Sequence, residues 1–260
     1  MLLLVDAGNT NTVFGVADFD SNKISAILRF SSSRERTADE WLALLRPHLP
    51  QSEHEPDLPL GMIVSSVVPA MTRHLVDLGR RHFQLEPLVV NATFDLGIRI
   101  EVDAPNEVGT DRLVNSAYAF AKYGGPTVVI DLGTGTKIEV ITEDGAFIGG
   151  VIAPGLGLSL DALSNRAARL YAVELAPPPA AIGRNTVAAV QSGVVIGHVA
   201  MIEGMLNRIV AECCQPQRVV LTGGYSSAVA EVLDGVTDHV PDMTLLGLRM
   251  LYDRNRPVAP

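Results

Sequence analysis

Two stretches of the chain place a carboxylate and small hydrogen-bond donors at the point where a predicted strand ends. Near the start, LLLVDAGNTNTVFG puts Asp6 before a turn of Gly, Asn and Thr, and TVVIDLGTGTKIEVITEDG at 127–145 puts Asp131 before a similar turn. Glycine lets backbone N–H groups approach an anion, Thr and Asn add short donors, and a carboxylate can hold a cation beside phosphates. Each stretch predicts either a clamp for nucleotide phosphates or a β-hairpin with an ordinary glycine turn. Their duplication favours the clamp.

A candidate for proton transfer lies in PNEVGTDRLVN, residues 105–115. Asp111 and Arg112 follow a glycine-containing loop and begin a predicted helix. A carboxylate near a helix N-terminus is favoured in its ionised form, in which it can take a proton from a substrate hydroxyl. Arg112 offers a fork for a substrate carboxylate. The alternative interpretation is a helix cap with a surface ion pair.

Two glycine-rich segments follow the second clamp. GGVIAPGLG, residues 149–157, contains four glycines in nine residues, which indicates close backbone approach to a ligand or to another chain segment. The strand predicted at 218–221 ends in Thr222-Gly223-Gly224, a second glycine turn that suits adenosine.

Predicted strands and helices alternate around these motifs, which indicates a mixed α/β sheet covered by helices. The first helix is expected after Thr37, whose side chain forms a capping box with Glu40. The 260 residues, 47% of them hydrophobic, allow a large core. The duplicated turns predict two domains with a cleft between them, residues 1–115 and 116–260.

Charge and hydropathy restrict the partners. The net charge of -9 and the lack of a basic run argue against a nucleic-acid surface. Residues 185–202 carry no formal charge if His198 is neutral, which fits either a membrane span or a buried packing helix; interrupting polar residues and glycines favour the helix. Gly193 and Gly197 give it a flat patch, from which we expect a homodimer. The short opening run, Met1 to Val5, lacks the features of a signal peptide, and we expect a cytoplasmic protein.

The two clamps resemble those of the actin-like, duplicated sugar-kinase superfamily. Taken in order from Leu3 to Asn255, the motifs are similar to those of the type III pantothenate kinases. The matching motifs are DAGNTNT at Asp6, TADE at Thr37, SSVVP at Ser65, PNEVGTDR at Pro105, GGVIAPGLGLSLDAL at Gly149, NTVAAVQSG at Asn185, TGG at Thr222 and LLGLRMLYDRN at Leu245.

The resemblance implies a duplicated actin-like (ribonuclease H-like) two-domain α/β fold with a central nucleotide cleft. It implies an ATP-dependent transferase that phosphorylates the primary hydroxyl of pantothenate, the first step of coenzyme A biosynthesis. Asp111 would be the general base. The pantothenate contacts would be Val102, Gly109, Thr110, Asp111, Arg112 and, across a dimer interface, Thr186.

The same resemblance assigns the ATP site, Mg²⁺ and a monovalent cation, K⁺ or NH₄⁺. Asp131 would hold the monovalent cation, and Asp6 would bind Mg²⁺. The residues implied to bind ATP are Asp6, Ala7, Gly8, Asn9, Thr10, Asn11, Thr12, Gly133, Thr134, Gly223 and Gly224.

The chain departs from the family pattern at four positions. The family shows Gly-Thr-Ala-Thr-Thr and, one residue later, Asp, where this chain has Gly135, Lys137 and Glu139 in place of Ala, the last Thr and Asp. Val102 replaces a tyrosine that walls the pantothenate site. These changes leave three hypotheses: a pantothenate kinase, a catalytically silent relative that acts as a regulatory binding protein, and a kinase for another hydroxy acid.

Lys137 carries a hypothesis of its own. A lysine ammonium resembles K⁺ or NH₄⁺ in charge and size, and positioned cations stabilise the charge that develops in phosphoryl transfer. Lys137 is therefore expected to replace part of the monovalent-cation requirement. The alternative is that Lys137 faces solvent on an alternating strand.

Overall fold

The computed structural model describes residues 1–19, 23–50, 58–166 and 173–256. The chain forms two compact units. Unit 1 comprises Met1–Gly97, Asp103–Tyr118 and the chain from Thr244 onward, and unit 2 comprises Ile98–Val102 and Ala119–Met243. The halves 1–115 and 116–260 stay a prediction about the duplication, because packing alone does not locate its boundary.

In chain order the strands are β1 (Leu2–Ala7), β2 (Asn11–Ala17), β3 (Ile24–Ser31), β4 (Gly61–Ser66), β5 (Leu88–Val89), β6 (Arg99–Ile100), β7 (Thr127–Leu132), β8 (Gly135–Ile141), β9 (Ala146–Pro154), β10 (Arg218–Thr222) and β11 (Asp238–His239). The α-helices are α1 (Ala38–Leu45), α2 (Pro69–His82), α3 (Thr110–Tyr123), α4 (Leu156–Arg166), α5 (Thr186–Gln191), α6 (Gly197–Glu212) and α7 (Met243–Asn255). A π-helical stretch, Ser192–Ile196, joins α5 to α6.

The sheets of the two units repeat one topology. In unit 1 the strand order is β3-β2-β1-β4-β5, with β1, β2 and β3 antiparallel and β4 and β5 added in parallel. In unit 2 the order β9-β8-β7-β10-β11 has the same directions, and β6 is added beside β9. Asp6 and Asp131 are the penultimate residues of the central strands β1 and β7. The repeat confirms the predicted duplicated α/β fold.

Local sequence signals explain how unit 1 begins. Thr37 and Glu40 form the predicted capping box, in which Thr37 Oγ1 accepts from the Glu40 N–H at 3.3 Å and Glu40 Oε2 accepts from the Thr37 N–H at 2.8 Å. The helix it starts carries Trp41, which is fully buried. The Trp41 ring packs against Phe14 of β2 and Phe30 of β3, with centroids 5.2 and 6.0 Å away. The cap therefore directs α1 onto the sheet.

The continuous helix from Thr186 to Glu212 is only partly covered within one chain. Its buried core residues are Val194, Val195, Val199, Ile202 and Ile209. Its exposed small residues include Gly193, Gly197, Ala200 and Gly204. Because 28% of an apolar 18-residue stretch of this helix is buried, the burial predicted for residues 185–202 is confirmed only for the face that packs on the core. Length and composition alone would let this helix cross a membrane, which is weak evidence for a span.

Candidate active site

The first turn, between β1 and β2, is braced by Ser32. The Gly8 N–H donates to the Asn11 carbonyl at 3.0 Å and closes the turn. Ser32 Oγ donates to the Gly8 carbonyl at 2.6 Å and lies 2.9 Å from Thr12 Oγ1. The Ser32 N–H donates to the Thr10 carbonyl at 2.9 Å. Since Thr12 is fully buried, its hydroxyl supports the turn from behind, while the tip of the turn is exposed.

A hydrogen bond between β4 and α3 brings the proton-transfer candidate to the same end of the sheet. Ser65 of β4 lies directly opposite Asp6 in the parallel register. Ser65 is fully buried, and its Oγ is 2.8 Å from Oγ1 of Thr110, the first residue of α3. Unit 1 therefore brings the first turn and the N-terminus of α3 together.

Asp111 is the second residue of α3, and its carboxylate is turned toward the backbone. Its Oδ1 accepts from the Arg112 N–H at 2.9 Å. A Cβ added to Gly109 would lie 2.6 Å from the same oxygen, so a side chain at that position would displace the carboxylate. The dipole of the helix stabilises an acidic side chain in its first turn. The arrangement supplies a positioned carboxylate that can accept a proton.

The second turn, between β7 and β8, is one residue shorter than the first. Its Gly133 N–H donates to the Gly135 carbonyl at 3.2 Å. The glycine-rich segment after β8 packs on it: the Gly155 N–H donates to the Thr134 carbonyl at 3.2 Å, and a Cβ on Gly155 would lie 2.4 Å from that oxygen. Of the two interpretations of this segment, close approach to another part of the chain is therefore confirmed.

The turn after β10 packs directly against Asp131. Gly223 has φ +98°, a conformation that favours glycine, and a Cβ there would lie 2.5 Å from Asp131 Oδ1 and 2.6 Å from the Leu132 nitrogen. The turn is tied down where the Tyr225 N–H donates to the Leu132 carbonyl at 2.9 Å. Gly223 therefore meets the second turn at its aspartate.

Asp131 forms a part-buried ion pair with Lys137. The two residues are directly opposite each other on β7 and β8. Lys137 Nζ donates to Asp131 Oδ2 at 2.7 Å, and their side chains are only 18% and 11% exposed. The alternative that Lys137 faces solvent is therefore wrong, because β8 is covered on both of its faces.

Of the other departures, Glu139 lies on the same sheet and Val102 follows its edge strand β6. Glu139 is fully buried on β8. A Cβ on Gly149, where φ is +107°, would lie 3.7 Å from Cγ1 of the half-buried Val102. Thr136, the residue before Lys137, is buried, with its Oγ1 2.7 Å from His198 Nε2. Burial lowers the pKa of His198 from its ordinary value, which keeps the imidazole neutral beside the hydroxyl.

Comparison with known proteins assigns the chain to a family. The family model for type III pantothenate kinase matches residues 2–208. The chain belongs to the type III pantothenate kinase family. A type III pantothenate kinase of Roseiflexus sp. (strain RS-1) is 45% identical over 256 residues, which cover 98% of this chain and all of the relative. The one from Thermomicrobium roseum is 41% identical over 254 residues, 98% of this chain and 97% of the relative.

Solved structures agree on the fold of this type III pantothenate kinase family member. A conserved Baf family protein from Campylobacter jejuni has a TM-score of 0.60 at 18% identity and covers 97% of this chain and 98% of its own. An inorganic polyphosphate/ATP-glucomannokinase from Arthrobacter sp. strain KM has a TM-score of 0.52 at 17% identity, with the same coverage. At these identities the likeness shows the fold alone, and it confirms the predicted actin-like architecture.

The predicted site residues of the family member are divided between the two units, and Thr186 belongs to unit 2. Unit 1 holds the first turn and Gly109–Arg112; unit 2 holds the second turn, Val102 and the Gly223 turn. Thr186 is exposed at the first position of α5, where Asn185 caps the helix by accepting from the Ala188 N–H at 2.9 Å.

Sequence reasoning missed the supporting roles of Ser32 and Ser65. Ser65 was visible as a hydroxyl at the end of an apolar strand, a position where burial requires a hydrogen-bond partner. Ser32 lies far along the chain from the turn that it braces, and nothing in its local sequence marks that contact.

Proposed function

We propose that this chain transfers the γ-phosphoryl group of ATP to the primary hydroxyl of pantothenate and so begins coenzyme A synthesis. The observation that carries the proposal is its similarity, over 98% of its length, to type III pantothenate kinases. The conserved chemistry of such a kinase needs a phosphate clamp and a positioned base, and the first turn and Asp111 supply both in unit 1.

In the proposed reaction Asp111 accepts the proton of the pantothenate hydroxyl. The hydroxyl oxygen then forms a bond to the γ-phosphorus as the bond to the bridging oxygen of ADP breaks, so that phosphopantothenate and ADP leave. Arg112 pairs with the substrate carboxylate through its planar guanidinium. The remaining proposed contacts to pantothenate are Val102, Gly109, Thr110 and, from a second copy of the chain, Thr186.

The proposed ATP contacts are the two turns together with the turn after β10. In the first turn the N–H groups and short side chains at the exposed tip bind phosphate oxygens. The full proposed set is Asp6, Ala7, Gly8, Asn9, Thr10, Asn11, Thr12, Gly133, Thr134, Gly223 and Gly224. Thr12 acts in this set by bracing the turn through Ser32.

Asp6 suits Mg²⁺ held jointly with ATP. The described residues contain no group of three or more His, Cys, Asp or Glu side chains that could hold a metal ion. Mg²⁺ commonly binds through one or two carboxylates and substrate phosphates, and the Asp6 carboxylate fits that mode. Bound Mg²⁺ would supply charge neutralisation at the phosphates. The monovalent cation implied at Asp131 meets a carboxylate that is already bonded to Lys137.

The proposal is tested by incubating the purified protein with MgATP and pantothenate and measuring phosphopantothenate by mass spectrometry. Product that requires the protein, both substrates and Mg²⁺ is expected. Nucleotide binding without product would instead support a silent binding protein. Product with a different hydroxy acid alone would identify another acceptor. We also propose a cytoplasmic location, because ATP and the pathway of coenzyme A synthesis are found there.

We propose further that the chain works as a homodimer whose interface includes the exposed side of the Thr186–Glu212 helix. Added side-chain atoms at Gly193 and Gly204 would have no neighbour within 4 Å, so a second helix can approach there closely. Large apolar side chains are also exposed, with Val187 of this helix at 50% and Ile152 of β9 at 66%. A second copy would cover these groups and bring Thr186 to a partner's substrate.

Light scattering tests the dimer. The unmodified chain is expected at twice the monomer mass, and Ala200→Arg, which places a charge on the exposed helix face, is expected to shift it to the monomer. Ala121→Arg makes the same change at an exposed position of α3 and should stay dimeric. A monomeric unmodified chain at assay concentration would contradict the proposal.

A further inference from the structure

The Asp131–Lys137 pair differs from an ordinary surface ion pair in its burial and its position. The Lys137 side chain is 18% exposed and the Asp131 side chain 11%, and the two charged groups are 2.7 Å apart. Surface pairs are weak because water and salt screen them; this pair is largely removed from water. It also adjoins the second turn, where phosphate oxygens are proposed to bind.

The Asp131 carboxylate is enclosed on both of its oxygens. Oδ2 accepts from Lys137 Nζ. Oδ1 faces the turn after β10, since a Cβ on Gly223 would lie only 2.5 Å from it. A Cβ on Gly133 would also lie 3.6 Å from Oδ1. A cation that reached this carboxylate would have to share it with the ammonium.

Electrostatics then favours one cation at this position. A bare carboxylate beside a phosphate turn would repel the nucleotide, so the site requires a positive charge next to Asp131. Lys137 supplies that charge on a tether, and a second monovalent cation on the same part-buried carboxylate would be repelled by it. Unlike a diffusible ion, a tethered cation is present at every salt composition.

We propose that the Lys137 ammonium is the built-in cation of the second turn, so that this chain binds nucleotide and turns over without K⁺ or NH₄⁺ at Asp131. The turnover part of this inference rests on the proposed function; the nucleotide-binding part does not. Lys137 is a positioning residue here, because it acts through Asp131 and the charge of the turn.

The test compares the unmodified chain with Lys137→Thr, which restores the residue of the family pattern. Nucleotide affinity is measured calorimetrically with a non-hydrolysable ATP analogue and Mg²⁺, and turnover is measured with pantothenate. Both are measured in KCl, NH₄Cl and tetramethylammonium chloride at one ionic strength, since tetramethylammonium is too large to replace K⁺.

The unmodified chain is expected to change by less than about twofold among the three salts in both measurements. In tetramethylammonium, Lys137→Thr should lose roughly 10²- to 10³-fold in turnover, the scale expected when one positioned electrostatic group is removed. K⁺ or NH₄⁺ should restore most of that loss, and should tighten analogue binding in this variant alone.

Lys122→Thr is the matched control, because it removes the same charge from an exposed position of α3. It should behave like the unmodified chain in every salt. If Lys137→Thr does not fold by circular dichroism, Lys137→Met retains the apolar stem and is measured instead, and the salt response of the unmodified chain remains decisive.

Two results overturn the inference. One is strong K⁺ or NH₄⁺ dependence of analogue binding or turnover in the unmodified chain. The other is a folded Lys137 variant that is as active, and binds as tightly, in tetramethylammonium as in K⁺. If no variant phosphorylates pantothenate in any salt, the proposed function fails, while the salt dependence of analogue binding still decides the role of Lys137.

Discussion

The first and second turns stand at equivalent places in the two sheets, yet their aspartates have different neighbours. Asp6 lies opposite Val13 on the adjacent strand, whereas Asp131 lies opposite Lys137. The cross-strand residue opposite the first aspartate is therefore apolar, whereas the one opposite the second aspartate is a lysine that forms an ion pair with it. The difference shows that one cross-strand residue can change the electrostatics of a turn while the sheet topology stays the same.

The residues that brace the two turns have also diverged. Thr12 and Thr136 are buried at matching register positions, but Thr12 contacts Ser32 and Thr136 contacts His198. In unit 1, Ser65 of the parallel neighbouring strand lies opposite Asp6 and bonds to Thr110 of α3. Unit 1 thus connects its turn to the helix that carries Asp111, the proposed base, whereas in unit 2 the glycines Gly155 and Gly223 pack on the turn.

The largest expected effect concerns Asp111, the base proposed in unit 1. Asp111→Asn should lower turnover by about 10² to 10⁴, the usual contribution of general-base catalysis. Affinity for the ATP analogue should change little, because Asp111 is assigned to the acceptor. Turnover near that of the unmodified chain would remove Asp111 from the mechanism.

The second prediction compares the stability loss on substituting Gly223, which packs on the second turn, with the loss on substituting Gly8 of the first turn. Gly223→Ala should lower the free energy of unfolding by roughly 1–3 kcal/mol from its backbone conformation alone, and by more because the new methyl group would overlap Asp131 and Leu132. Gly8→Ala should cost less, since its Cβ would lie 3.1 Å from the Asn11 carbonyl. Urea unfolding measures both.

Gly235→Ala separates strain from overlap in that experiment. Gly235 also has a positive φ, +82°, but its Cβ would have no neighbour within 4 Å. An equal loss of stability in Gly223→Ala and Gly235→Ala would mean that contact with Asp131 adds nothing.

The third prediction tests whether the hydroxyls at the ends of β4 and β10 differ in importance. Ser65→Ala should cost about 1 kcal/mol of unfolding free energy, the usual net value of one hydrogen bond, and should reduce turnover by loosening the N-terminus of α3. Thr222→Val should cost less, because its bond to the Pro241 carbonyl is long, at 3.3 Å. The idea fails if Thr222→Val is the more damaging change to turnover.

The smallest expected effect is a pH dependence of the free energy of unfolding that comes from His198, which contacts Thr136 after the second turn. Burial lowers the pKa of His198 in the folded chain from its ordinary value of 6.5. As pH falls below about 6.5, the unfolded chain takes up a proton there before the folded chain does, so the free energy of unfolding decreases. The decrease ends below the folded pKa.

Urea unfolding between pH 7.5 and 5, run beside His198→Gln, isolates this contribution from the other histidines. The unmodified chain should lose more stability than the variant over this range. The hydroxyl pair Thr12–Ser32 has no titrating member, so Ser32→Ala should leave the pH slope unchanged. Equal slopes for the unmodified chain and His198→Gln would show that His198 is not responsible.

Sequence predicted the fold well where local chemistry and topology coincide. The runs of β-branched residues before Asp131, the duplicated turns and the Thr37 capping box each require only neighbouring residues, and the structure contains all three. The burial predicted for residues 185–202 is confirmed only in part, because composition shows that a helix has an apolar surface but not how much of that surface its own chain covers.

The candidate site was less predictable because its contacts are long-range. Solvent exposure of Lys137 followed from strict alternation along a strand, but β8 lies inside its sheet and Glu139 and Val140 are both buried. When both faces of a strand are covered, the alternation of side chains along it no longer indicates which of them face solvent. The pairing of Lys137 with Asp131 depends on the register of β7 and β8 across a short turn. The sequence predicted a role for Lys137 at this turn, but not its contact with Asp131.

The ion pair at Asp131 also has a consequence for how this family evolves. Threonine and lysine codons such as ACA and AAA differ by one base, so a single point mutation can exchange the two residues. Under the role proposed for Lys137, a chain that gains the lysine would bind nucleotide independently of the potassium content of its cell. The proposal therefore implies that dependence on intracellular potassium can be lost or regained in one mutational step, without change to the fold.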